Sequence, residues 1–217
     1  NDTVLEVSST ATFDHNNGLL NLFQQGTYCG GHFTSNIVTN GTLDVYDIAL
    51  ERTSGCNGTV TYTVAGGDAL NVTNDLTQGP YSKTSGDIEL KGNLIVATTS
   101  QAGLGTITIN GTIDQTYSYD SGVGSGRILI NKPSGIFKPA AGKTEMYMTS
   151  LQLVGSSSFQ APTGNLTIGH QAAAHDTAMD VSAGSSIDPN GGTITFHQGT
   201  SCAGEFTVDI VTNGILE

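Results

Sequence analysis

Residues 23–43 read FQQGTYCGGHFTSNIVTNGTL, and residues 196–216 repeat them as FHQGTSCAGEFTVDIVTNGIL, with 14 of 21 positions identical at an offset of 216 − 43 = 173. The match runs upstream with a slip of one residue. Asp2-Thr3-x-Leu5-Glu6-Val7-Ser8 lines up with Asp176-Thr177-x-Met179-Asp180-Val181-Ser182, and Asp14-x-Asn16-x-Gly18 with Asp188-x-Asn190-x-Gly192. Self-similarity at a fixed spacing marks a repeat architecture. It predicts one long period over residues 1–174 and the opening of a second copy over residues 175–217. The expectation is a slice of something longer, or a unit built to be followed by another of its kind.

Working outward, the apolar residues come in pairs two apart, the spacing of a strand. Leu5/Val7, Leu20/Leu22, Leu43/Val45, Leu70/Val72, Ile88/Leu90, Ile107/Ile109, Ile128/Ile130, Met146/Met148, Leu166/Ile168, Met179/Val181 and Val208/Ile210 all follow it. The single helical candidate, Gln171 to His175, is too short to stand alone. In the middle of the chain the first apolar residue of each run falls at 88, 107, 128, 146 and 166, in steps of 19, 21, 18 and 20. A period near twenty predicts stacked coils, none able to bury its own apolar side alone. The Asn-Gly pairs at 17–18, 40–41, 57–58, 110–111, 190–191 and 213–214 then serve as corners, because Asn and Gly tolerate left-handed backbone. The fold expected is an all-β parallel β-helix with coils of about twenty residues. The alternative takes Asn-Gly as a hairpin turn and gives antiparallel β-sandwich repeats.

Runs such as Thr106-Ile-Thr-Ile-Asn-Gly-Thr-Ile113 and Ser125-Gly-Arg-Ile-Leu-Ile130 resemble the right-handed parallel β-helices of secreted bacterial adhesins, the filamentous haemagglutinin-like exoproteins among them. The resemblance is one of texture over most of the chain. It implies an extracellular stalk or adhesive rod at a cell surface and names no ligand.

Composition restricts the partners. A net charge of −12 with seven Lys+Arg argues against nucleic acid and anionic membrane, both of which demand basic patches. No apolar run approaches the length of a membrane span. No basic-then-apolar leader opens the sequence, so any targeting segment is expected to have been removed or to lie outside it. The partners expected are copies of the chain itself or following repeats, with surface glycans as a further class. Cys29 and Cys202 are equivalent in the two copies, and Cys56 follows Cys29 by 27 residues, a plausible single coil carrying an insertion. Stacked strands bring Cα atoms within disulfide reach, which predicts a Cys29–Cys56 bridge. The plainer alternative is three buried thiols acting as small apolar residues.

Candidate chemistry is thin. Sequons at Asn40, Asn57, Asn71, Asn110 and Asn165 are candidate glycosylation sites; Asn40-Gly41-Thr42 becomes Asn213-Gly214-Ile215 in the second copy, keeping the turn and losing the acceptor. Asp14-x-Asn16, Asp188-x-Asn190, Asp75 and Asp120 offer oxygens to calcium, although their simpler role is to stabilise turns. No cofactor is expected, and the five histidines show no metal spacing. Glycoside hydrolysis needs two carboxylates facing each other across a cleft. Asp87 and Glu89 share a strand face, but their stacked neighbours are expected to be Thr106/Thr108 and Arg127/Leu129, so no catalytic residue is assigned. An uncapped final coil exposes strand edges and apolar residues, which makes Phe206, Val208, Ile210 and Leu216 a candidate assembly end. The leading function is a structural or adhesive rod or fibre segment. The alternatives are a carbohydrate-binding or polysaccharide-degrading β-helix and a surface-layer or cell-wall sandwich module.

Overall fold

The computed structural model describes residues 2–26, 31–54, 58–121, 124–170, 177–198 and 209–216; among them there is no helix. The chain opens with β1 (Asp2–Glu6), β2 (Leu19–Gly26), β3 (Phe33–Val38), β4 (Thr42–Val45), β5 (Asp47–Ser54), β6 (Val60–Val64), β7 (Ala69–Val72) and β8 (Leu76–Gln78). Its middle holds β9 (Ser82–Ser85), β10 (Asp87–Leu90), β11 (Leu94–Val96), β12 (Thr106–Ile109), β13 (Gln115–Tyr119), β14 (Ser125–Ile130), β15 (Ile136–Pro139) and β16 (Glu145–Leu153). Then come β17 (Ser158–Gln160), β18 (Asn165–His170), β19 (Thr177–Val181), β20 (Ser186–Asp188), β21 (Thr193–Gln198), β22 (Asp209–Thr212) and β23 (Ile215–Leu216).

Successive strands visit three sheets in rotation. The first sheet is β1-β3-β6-β9; the second runs β4-β7-β10-β12-β14-β16-β18-β21, with β19 also on β16 and β22 on β19. The third is β2-β5-β8-β11-β13-β15-β17-β20-β23. Among the described residues every strand pairing is parallel. That overturns the antiparallel sandwich alternative, since parallel neighbours cannot be joined by a two-residue hairpin. The described Asn-Gly pairs turn the chain from one sheet into another instead. Asn40 (φ 48°) and Gly41 (φ 134°) lie between β3 and β4, and Asn190 (φ 53°) and Gly191 (φ 72°) between β20 and β21.

The alternating pattern explains the core. One inward column runs Leu43, Leu70, Ile88, Ile107, Ile128, Leu151 and Met179, each paired to the next and each at most 4% exposed. The residues two further on, Val45, Val72, Leu90, Ile109, Ile130, Leu153 and Val181, form a second column beside it. Burying each such side chain contributes about 1.5–3 kcal/mol, so the columns hold the levels together.

The observed register corrects one expected step. Ile88, Ile107 and Ile128 stack as their spacing predicts, and Met146 stacks on Leu166, but the partner of Ile128 is Leu151, 23 residues on, and not Met146. The reason is that β16 is nine residues long and serves two lines. Its first half, Glu145–Met148, carries β18; its second half, Leu151–Leu153, carries β19. Met146/Met148 and Leu151/Leu153 have the same two-residue spacing, which alone cannot assign them. The first half of β16 continues the line of the first sheet. Gln101 N–H donates to Ser82 O (3.0 Å), Gly105 N–H to Thr84 O (3.2 Å), Arg127 N–H to Gly105 O (3.1 Å), and Ser125 then pairs with Met148.

Polar side chains close the corners from inside. Lys132, almost fully buried, donates through Nζ to Gly111 O, Ile113 O and Gln115 Oε1, each at 2.8 Å, and burial pushes its pKa down. Gln115 Nε2 donates in turn to Leu90 O (3.0 Å) and Gly92 O (2.5 Å). The Tyr62 hydroxyl donates to Leu22 O (2.7 Å) and Glu51 O (2.6 Å), and burial raises its pKa to about 12. These side chains pair with one another and with corner carbonyls, as buried polar groups require; Leu90 O also accepts from Asn110 N–H (3.0 Å).

Candidate functional site

Among the described residues several acidic side chains hydrogen-bond the neighbouring level. Asp87 and Glu89 do face Thr106 and Thr108 on the next level, and these face Arg127 and Leu129, so no second acid stacks on them. Asp44 accepts from Asn71 Nδ2 (2.9 Å), Glu89 from Asn110 Nδ2 (3.0 Å) and Asp180 from Gln152 Nε2 (3.1 Å). At the corner between the second and third sheets the polar groups form a ladder. Asp47 Oδ1 accepts from Asn74 Nδ2 (2.7 Å) and Asp75 N–H (2.8 Å), Asp75 Oδ1 from Asn93 Nδ2 (2.9 Å), and Asn93 Oδ1 from Thr116 N–H (2.9 Å). Each rung ties one level to the next.

The residues singled out for calcium are engaged likewise. Asp14 Oδ1 accepts from Asn16 N–H (2.9 Å) and Asp188 Oδ1 from Asn190 N–H (2.8 Å), both as Asx turns. The hydrogen bond from Gln160 Nε2 (3.0 Å), with that from Asn190, holds the Asp188 carboxyl below the usual carboxylate range. Asp120 forms an ion pair with Lys143. Among the described residues no group of three His, Cys, Asp or Glu is placed to hold a metal ion.

Of the five candidate glycosylation sites, Asn40, Asn71, Asn110 and Asn165 lie among the described residues. Asn40 Nδ2 donates to Val7 O (2.8 Å), Asn165 Nδ2 to Thr167 Oγ1 (2.8 Å), and Asn71 and Asn110 make the contacts above. A glycan at any of them would have to be carried on the one Nδ2 hydrogen that this bond leaves over. Asn57, Cys29, Cys56, Phe206 and Val208 lie outside the described residues. Ile210 is half-exposed in β22, and Leu216 belongs to β23, paired with Ile187.

Sequence reading missed the buried corner groups Lys132, Gln115, Gln78 and Arg52. A signal was present: Gln78 sits two residues after Leu76, at an inward phase where an apolar residue is expected. Arg52 packs its guanidinium 5.2 Å from the Phe33 ring centre. A recess of about 130 Å³ is lined by Phe13, Asp14, His15, Gly18, Leu19 and Leu20, and the His15 ring stacks on Tyr46 at 5.9 Å. It lies in the first copy of the repeat, where Asp14 Oδ1 accepts from Asn16 N–H (2.9 Å) and His15 Nδ1 from Asn17 N–H (3.0 Å).

That first copy is the surface that stands out. Val4, Phe13, Leu19 and Phe23 are exposed there, and the second copy covers the counterparts of the first two: Val4 is 36% exposed and Ala178 7%, Phe13 37% and Ile187 0%. Locally the copies are alike. β1 pairs with β3 through Thr3↔Asn36, Leu5↔Ile37 and Glu6↔Val38; β19 pairs with β22 through Thr177↔Asp209, Met179↔Ile210 and Asp180↔Val211. The register even breaks at the same place, between Thr3 and Leu5 and between Thr177 and Met179. What differs is the bed. β19 lies on β16, β20 on β17 and β21 on β18. Comparison with protein-family models, with curated proteins and with solved structures finds no match to this chain.

Proposed function

We propose that the chain is a segment of a three-faced parallel β-solenoid whose work is mechanical: an extracellular structural or adhesive rod that gives reach or attachment at a cell surface. The observation that carries this reading is the unbroken pair of apolar columns from Leu43 to Met179 and from Val45 to Val181, overlaid by polar ladders that link level to level. Outward carboxylates tied to the neighbouring level, as Asp44, Glu89 and Asp180 are, stiffen the stack against bending. Nine levels in the third sheet give a length of roughly 40 Å at a strand spacing of about 4.8 Å.

The Cys29–Cys56 bridge belongs to the same reading. The described strands on either side are offset by 28 residues (Gly26↔Ser54) and 27 (Phe33↔Val60), and the two cysteines are 27 apart. Small-angle scattering, a thiol count before and after reduction, and assays for sugar release from acidic polysaccharides test the proposal together. The expected outcome is a prolate particle with two fewer free thiols than cysteines and no released sugar. Release of unsaturated or reducing sugar would sink the mechanical reading.

A further inference from the structure

The two copies of the repeat share register but not position around the axis. β1 and β3 lie in the first sheet, while their counterparts β19 and β22 lie on the line of β12, β14 and the second half of β16. β4 lies in the second sheet and its counterpart β23 in the third. β2 lies in the third, and its counterpart β21 on the line that continues the first. Every counterpart has moved on by one sheet in the order in which the chain visits them. From β1 to β18 the line of the first sheet rises seven levels, and β19 is one sheet further. The 174-residue offset is therefore about seven and one-third turns, or about 24 residues per turn.

We propose that the exposed edge of residues 2–26 is an interaction surface for a second copy of residues 1–174 placed ahead of it, seated through that copy's β16 and β17. This rests on the solenoid reading above. The pairs are fixed by those of the second copy: Leu151 on Met179, Gln152 on Asp180, Leu153 on Val181 and Phe159 on Ile187. Their counterparts are Leu151 on Leu5, Gln152 on Glu6, Leu153 on Val7 and Phe159 on Phe13. Three of the four contacts replace water on apolar side chains, which is the general driving force for association. Val4 and Phe13, open in the first copy, match Ala178 and Ile187, which are buried on β19 and β20, the strands that β16 and β17 carry, so the occupant is specified by the chain's own interior. Successive copies turn by one face, and three copies restore the starting phase.

The test is a tandem of residues 1–174 joined directly to the full chain, with Gln152→Cys in the leading unit and Glu6→Cys in the following one. Stacked strands place the two Cα atoms within disulfide range, so peptide mapping after mild oxidation should find that bond. Small-angle scattering should find the rod longer by roughly 35 Å than the single chain. Phe13→Asp in the following unit should lower the Tm of the tandem by several degrees and that of the single chain much less. The control is Gln152→Cys with Asp180→Cys in the single chain. A bond in the control with free thiols and an unlengthened particle in the tandem overturns the proposed surface alone. Failure of the control overturns the solenoid reading and this surface with it.

Discussion

Phe13 and Ile187 occupy the same place in two copies of one repeat, yet the first is 37% exposed and the second wholly buried. Their local settings are alike: an Asx turn follows each, from Asp14 to Asn16 and from Asp188 to Asn190. The contrast therefore shows what a level gains from the level beneath it, about a turn that both copies keep. In a stacked architecture most of the stability sits in such neighbour interfaces.

The sharpest way to break that comparison is a methyl group. A Cβ at Gly192 falls 2.1 Å from Pro162 O, a backbone atom of the underlying level, while one at its counterpart Gly18 falls 3.2 Å from His15 O. Gly192→Ala should cost about 3–5 kcal/mol by denaturant unfolding, because the level must shift off its bed. Gly18→Ala should cost about 1 kcal/mol. Equal costs would mean that the second copy is not seated as described.

Truncation comes next. Ile187→Ala opens a cavity against Phe159 and should cost about 3 kcal/mol. Phe13→Ala removes a side chain that is partly in water already and should cost about 1 kcal/mol. In the tandem protein the second value should rise toward the first, and a cost that stays put would count against the proposed surface.

The smallest effect is electrostatic. The Asp188 carboxylate has its pKa lowered by Gln160, then by the Asn190 N–H, and Gln160 belongs to the level below. A carboxyl lowered in the folded state stabilises above its unfolded value of 3.8, and that contribution is lost as the pH falls through the folded value. Asp188→Ala should therefore lower Tm slightly at pH 7 and have no electrostatic effect once both states are protonated. Asp14→Ala removes the bond from the Asn16 N–H alone among the described contacts and should lower Tm less at pH 7.

Much of this architecture was legible in the residues. The two-residue spacing of Ile107/Ile109 and Ile128/Ile130 fixes which side chains turn inward, because a strand alternates sides whatever lies beside it. The Asp-x-Asn turns were legible for the same reason: an Asx turn is a local bond. The partner of Ile128 was not legible, since Met146 and Leu151 present the same spacing and only the stacking of β14 on β16 chooses between them. Lys132 was missed because a lone lysine in a polar stretch gives no sign that three carbonyls converge on it.

By itself the sequence determined that the chain repeats, that it is built of short strands, and where those strands turn. Only the tertiary structure decided that the second copy lies one face further round than the first, and so which copy has a bed beneath it. The physical reason is that identity is a property of neighbours along the chain, whereas burial depends on how many turns separate the copies, and a count of turns leaves no mark on any single residue.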